Sequence, residues 1–221
     1  MLGEIMMNIL EWIGTVAFAA SGALVAIASG LDVFGVLVVG CITATGGGIM
    51  RDILVGVTPP TVFSSYEFII IAAVTAACVF VVSYTHSTRF EFIKSKVEQI
   101  NLLFDSLGLA VFTVSGIEHV SANGNCTIVA MLTAGVITGV GGGVLRDVLV
   151  NEKPYILTKH VYALASLVGC VLYYLIGVHY GHTFAATLIS VSSVLIIRIL
   201  AAKMHWKLPK VSIDGHGDSA Q

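Results

Sequence analysis

Gly46-Gly47-Gly48-Ile49-Met50-Arg51-Asp52 and Gly141-Gly142-Gly143-Val144-Leu145-Arg146-Asp147 are one motif written twice, 95 positions apart, each at the end of a long apolar run. A glycine triplet weakens a helix, and an arginine–aspartate pair is costly in hydrocarbon. An apolar chain that carries both features twice reads as a duplicated membrane fold with polar groups near its centre. That points to passage of a solute or an ion.

The likeness extends outward from the motif. Gly40, Ala44 and Gly48 match Gly135, Gly139 and Gly143, and Pro59 matches Pro154. With a one-residue shift, Phe18, Ser21 and Gly22 match Phe112, Ser115 and Gly116, and Glu11 matches Asp105.

Composition sets the solvent. The chain of 221 residues is 57% hydrophobic and 11% charged, with a mean hydropathy of +0.95, too little charge to cover a water-soluble surface. Apolar stretches centre on 9–28, 33–50, 66–84, 102–120, 126–145, 160–178 and 183–201, each near the roughly 20 residues of a spanning helix. The fold class is an all-α membrane protein of seven transmembrane helices, one domain over 1–201. Repeat one covers 9–84, repeat two 102–178, and an extra helix 183–201; a basic and then disordered tail follows at 202–221. Three spans per copy is an odd number, so the second copy enters the bilayer from the opposite side and the repeats are inverted.

Alternating the connections puts Arg89, Lys94, Lys96, Arg146, Lys153, Lys159, Arg198, Lys203, Lys207 and Lys210 on one side and Arg51 alone on the other. The positive-inside rule then places the N-terminus outside and the C-terminus in the cytoplasm. Met1-Leu2-Gly3-Glu4 has no basic residue to form the start of a signal peptide, so the first apolar stretch reads as a retained span. Cys41, Cys78, Cys126 and Cys170 have no metal-ligand spacing and read as small packing residues.

The motif carries the chemistry. Small residues every fourth position let helices approach closely, but three consecutive glycines exceed what packing needs. The triplets Gly46–Gly48 and Gly141–Gly143 are therefore expected to bend or unwind spans two and five, which would free carbonyls that suit monovalent cations. Arg51, Asp52, Arg146 and Asp147 follow directly. Adjacent side chains on a helix point about 100° apart, so each arginine is expected to meet an acid elsewhere, Arg51 with Asp147 and Arg146 with Asp52. The alternative is that these charges sit at span ends and snorkel to the headgroups. Ser21, Ser115, Thr43, Thr45 and Thr138 either line a wet path or bond to their own helix backbone. Asp105 either attracts cations or serves as an interfacial helix-start acid. Glu118-His119 departs from the first copy and reads as a polar span end.

Other chemistry lacks support. Gly139-x-Gly141-Gly142-Gly143 follows no strand, so it is not a dinucleotide loop. Neither triplet carries the Lys-Ser/Thr of a phosphate loop, and no catalytic triad or hydrolase metal set is visible. No enzyme, cofactor, nucleic-acid partner or bound metal beyond transient monovalent cations is expected.

The doubled GGGxxRD motif, each copy preceded by a span bearing Phe-x-x-Ser-Gly, on a seven-span chain with a three-plus-three repeat, resembles the prokaryotic branch of the trimeric intracellular cation (TRIC) channel family. The resemblance covers Glu11 to Ala201. It implies a homotrimer in a prokaryotic inner membrane, among membrane lipids, with one potassium-conducting and also sodium-conducting path per protomer. That path would run between the repeats where spans two and five kink. Some bacterial relatives are instead associated with glycine uptake. A secondary transporter for a small zwitterion, with an arginine on the carboxylate and an aspartate on the ammonium, is thus the second reading. The Arg-Asp form in both copies departs from the phosphoinositide-binding motif of animal members.

Overall fold

The computed structural model describes residues 2–85, 87–122, 126–158, 161–204 and 206. Its helices are α1 (Leu2–Ala28), α2 (Val33–Val55), α3 (Glu67–Thr85), α4 (Ser87–Ser121), α5 (Ile128–Leu149), the one-turn α6 (Tyr155–Thr158), α7 (Tyr162–Tyr173, extended by a π turn over Tyr174–His179) and α8 (Thr183–Lys203). Seven segments are long and apolar enough to cross a membrane: Ile5–Ala28, Val33–Val55, Glu67–Thr85, Val97–Ser121, Ile128–Leu149, Tyr162–His179 and Thr183–Lys203. Each expected span is therefore present.

Local chemistry sets the ends. Asp32 caps α2 by accepting the Gly35 N–H at 2.8 Å, and Thr127 does the same for α5 with Ala130 at 3.2 Å; both satisfy donors that a helix start leaves free. Gly56 closes α2 in the left-handed region at φ 78°, where a side chain would be strained. One boundary differs from expectation. The charged stretch Arg89–Glu98, read as a polar break, continues as helix from Ser87 into the span. Neither glycine nor proline occurs between Ser87 and Leu107 to stop it. Of the expected tail, Ala202 and Lys203 finish α8, while 205 and 207–221 lie outside the described residues.

The two copies pack alike. In the first, α1, α2 and α3 touch one another; in the second, α4, α5 and α7 do the same. The copies meet through α2 against α5 and α1 against α4, and α8 lies on α7 and α4. Residues matched by the repeat also touch each other, which places them beside the pseudo-two-fold axis. The Phe18 and Phe112 rings lie 5.4 Å apart. Each ring sits where the opposite copy has a glycine: a Cβ on Gly108 would enter the Phe18 ring, and one on Gly14 would meet Phe112 at 3.4 Å. Around this axis run the buried alanines of α1, Ala17, Ala19, Ala20, Ala23 and Ala26. The outer surface is apolar as lipid requires. On α3, Ile70, Val74, Val81 and Val82 point outward, and the buried positions are Ala72 and Ala76.

Candidate functional site: two Arg–Asp clusters about a glycine crossing

The glycine triplets are the contact between the copies. A Cβ on Gly47 would overlap the Thr138 carbonyl oxygen, and a Cβ on Gly142 would overlap that of Thr43. The flanking positions obey the same symmetry, with Gly46 against Leu145 and Gly141 against Met50. Yet α2 and α5 run as uninterrupted α-helices through the triplets. Of the expected bend or unwound turn, the unwound turn is absent. A glycine face lets two helix backbones touch, and that contact supplies packing without breaking either hydrogen-bond ladder. The stripes beside the crossing pack too, with Gly40 on Ala76 of α3 and Gly135 on Cys170 of α7.

One turn beyond each glycine lies an Arg–Asp pair. Because α2 and α5 run antiparallel, the pairs lie on opposite sides of the crossing, roughly 12 Å apart along the helix direction. Neither pair makes the expected cross-connection. Arg51 Nε donates to Asp52 Oδ1 at 2.8 Å, and Arg146 Nε donates to Asp147 Oδ1 at 2.8 Å. The aspartates are fixed from the other side. Asp52 Oδ2 accepts the Thr61 N–H at 2.8 Å and its hydroxyl at 2.7 Å; Asp147 Oδ2 accepts the Tyr155 N–H at 2.8 Å. Each carboxylate thus starts the helical turn that follows, Thr61–Phe63 in one copy and α6 in the other. A stationary carboxylate next door is within reach of a long arginine arm, which explains the local pairing. The same contacts revise the proline match: Pro60, not Pro59, precedes the residue whose N–H the aspartate accepts, as Pro154 does.

Around Arg146 the surroundings are closed and mostly polar. Its Nη1 donates to Asp105 Oδ1 at 2.8 Å and to Ser21 Oγ at 2.6 Å. The Ser21 hydroxyl donates to Asn101 Oδ1 at 2.7 Å. Asn101 Nδ2 reaches the Tyr155 hydroxyl at 3.4 Å, and the Tyr155 backbone returns to Asp147. Tyr162 donates to Asp105 at 3.3 Å, and the Tyr155 ring lies 5.1 Å from the Arg146 guanidinium. Arg146 and Asp105 are both 0% exposed, so the headgroup alternative fails for Arg146, and Asp105 is no interfacial acid. Outside the spans, burial raises the Tyr155 phenol above its usual range, so it stays neutral as a ring member.

Around Arg51 the surroundings are looser. Its further contact is a 3.4 Å bond from Nη2 to the Thr61 hydroxyl. Glu11, the counterpart of Asp105, accepts the Ser115 hydroxyl and lies within electrostatic reach of Arg51. His119, half-buried, approaches Asp52 at 4.0 Å. The serines therefore join copies across the bundle. The threonines do not: Thr43 donates to Val39 O at 2.6 Å, Thr138 to Ala134 O at 2.6 Å and Thr45 to Cys41 O at 2.8 Å, each on its own helix.

Sequence reasoning missed Asn101, Tyr155, Tyr162 and Arg198 as members of the second cluster. Arg198 Nη2 lies 3.7 Å from Asp105 Oδ2, and its guanidinium covers the Tyr162 ring at 4.6 Å. The available signal was a lone arginine inside the last apolar run, counted instead as a cytoplasmic charge. With Arg51, Arg146 and Arg198 all buried, none of them reports on membrane sidedness, and the ten-to-one split becomes eight against none.

These features define a multi-pass membrane protein built from two inverted three-span copies that meet at a glycine crossing. The family model described as Glycine transporter matches twice, over residues 8–85 and 102–177. A UPF0126 membrane protein of Deinococcus radiodurans is 36% identical over 202 residues, 90% of this chain and 89% of that one. A solved chain from "Structural basis for conductance through TRIC cation channels" is 38% identical with a TM-score of 0.81, covering 95% of this chain and 98% of that one. A second, from "Crystal structure of a prokaryotic TRIC channel in 0.5 M KCl", is 31% identical with a TM-score of 0.81, covering 93% and 100%. The chain belongs to the TRIC channel family.

Proposed function

We propose that this chain is a monovalent cation channel, passing potassium and also sodium, with one path in each protomer of a homotrimer. The observation that carries this reading is the pair of full-length structural matches to chains described as TRIC channels, at 38% and 31% identity. The path runs between the copies, from the cluster of Arg51, Asp52, Glu11 and Ser115 past the glycine crossing to that of Arg146, Asp147, Asp105 and Ser21. Backbone lies directly on backbone at Gly47 and Gly142, so the arrangement described is a closed one. Opening requires α2 and α5 to part there. With the helices unbroken, hydroxyls and carboxylates rather than freed carbonyls replace ion hydration. The eight remaining basic residues favour an outside N-terminus and a cytoplasmic C-terminus.

The description of the family model as Glycine transporter supports a second reading, a transporter for a small zwitterion. Against it, both motif arginines already spend donors on protein carboxylates, which a substrate carboxylate would have to displace. Purified protein in liposomes separates the two. Potassium flux with no amino acid added, abolished in Gly47→Leu and Gly142→Leu, is the expected outcome. Saturable uptake of labelled glycine without ion conductance would overturn the channel.

A further inference from the structure

The seventh span belongs to neither copy, yet it inserts a charge into one of them. Arg198 projects from α8 into the second cluster, where its side chain is 4% exposed and Asp105 is 0%. Asp105 Oδ1 is taken by Arg146 and Tyr162. Its other oxygen has no hydrogen-bond donor, and Arg198 Nε and Nη2 have no acceptor. The 3.7 Å between Arg198 Nη2 and Asp105 Oδ2 is an ion pair without a hydrogen bond. The guanidinium lies over the Tyr162 ring at 4.6 Å and faces Asp105 without bonding it. What the guanidinium supplies here is charge.

That charge breaks the symmetry of the two ends. The second cluster balances Arg146 and Arg198 against Asp105 and Asp147. The first has Asp52 and Glu11 against Arg51 alone, the sole Lys or Arg among residues 1–88. We propose that Arg198 is a specificity-determining residue of the path. By offsetting Asp105 it makes the second cluster an electroneutral barrier, and leaves the Glu11 end, with its excess carboxylate, as the place where a cation dwells.

The assignment rests on the channel reading above, and its test separates the two. Potassium flux and the reversal potential in a potassium chloride gradient are measured in liposomes for wild type, Arg198→Gln, Asp105→Asn and the double variant. A unit charge within a few ångströms of a dry path changes cation occupancy by on the order of tenfold. Arg198→Gln therefore raises flux and cation preference by about that factor, and Asp105→Asn lowers both by about as much. The double variant, electroneutral again, returns to within about twofold of wild type. A merely structural ion pair lowers flux in both single variants and is restored in the double, so the opposite signs of the two single variants carry the test. Folded Arg198→Gln with flux at or below wild type, or a double variant no nearer wild type than either single, overturns the assignment. Should Arg198→Gln fail to fold, Asp105→Asn decides: a reversal potential shifted toward chloride supports it, an unmoved one overturns it. A wild-type protein that passes no potassium removes the channel reading and this assignment together, whereas wild-type conduction with an indifferent Arg198→Gln removes the assignment alone.

Discussion

The two Arg–Asp clusters grow from one seven-residue motif and finish in different states. What they share is what the motif itself contains: a glycine face for the crossing, an arginine one turn on, and an aspartate that starts the next helical turn. What separates them comes from elsewhere in the chain. Arg146 is enclosed by Asp105, Asp147, Ser21 and the Tyr155 ring, and Arg51 by Asp52 and Thr61, with a half-exposed histidine nearby. A duplicated motif thus preserves backbone position, while its neighbours decide how much water and net charge each copy meets.

Removal of the arginines tests this contrast most severely. Arg146→Ala takes the close cation from two buried carboxylates, leaving Asp105 with Tyr162 and the 3.7 Å Arg198 contact and Asp147 with the Tyr155 N–H, and is expected to cost ~3–5 kcal/mol, the penalty of breaking a buried ion pair from one side. Arg51→Ala leaves Asp52 with both Thr61 donors and is expected to cost ~1–3 kcal/mol. Unfolding of the detergent-solubilised protein in a denaturant series reads both. Equal losses would mean that the two ends are equally closed.

The serines sharpen the comparison at a smaller scale. Ser21 accepts from Arg146 and donates to Asn101, so Ser21→Ala opens the second ring at two bonds and should cost ~2 kcal/mol. Ser115 donates to Glu11, a single bond, and Ser115→Ala should cost ~1 kcal/mol or less, near the average for hydrogen bonds inside membrane proteins. The same unfolding measurement decides, and a larger loss at Ser115 would reverse the ranking of the ends.

Much of this architecture is readable before any coordinates. Apolar runs of spanning length and a motif repeated at a fixed offset are local signals, and they give the seven helices, the inverted repeat and the positions of Arg51, Asp52, Arg146 and Asp147. Pairing is not local. The expectation that each arginine crosses to the other copy followed side-chain directions on an ideal helix. It failed because Thr61 and Tyr155, eight or nine residues on, hold each aspartate beside its neighbour. The unwound triplets failed for a related reason. Glycine lowers helix propensity, but a partner backbone that fits the bare face more than offsets the loss. Arg198 was visible as a charge in an apolar run, and only the packing of α8 on α4 reveals which acid it meets.

The smallest contrast is also the one free of charge. Gly48 and Gly143 are equivalent last members of the triplets, yet a Cβ on Gly143 would sit 2.7 Å from the Tyr162 hydroxyl and 3.5 Å from Asp105, while one on Gly48 would meet Arg51 Nη2 at 3.9 Å. Alanine adds up to ~1 kcal/mol of helix propensity at either position. At Gly48 nothing opposes it, so Gly48→Ala should leave the protein equally stable or slightly more so. At Gly143 the methyl must displace a tyrosine that is itself bonded to Asp105, at a cost of ~1–3 kcal/mol for overpacking. Gly143→Ala should therefore be destabilised by about 1 kcal/mol net. Opposite signs at two matched glycines would locate the asymmetry in the space beside the helices, since the backbone and the added atom are the same in both. Matching signs would mean that Tyr162 yields freely and that the second end is looser than its hydrogen bonds imply.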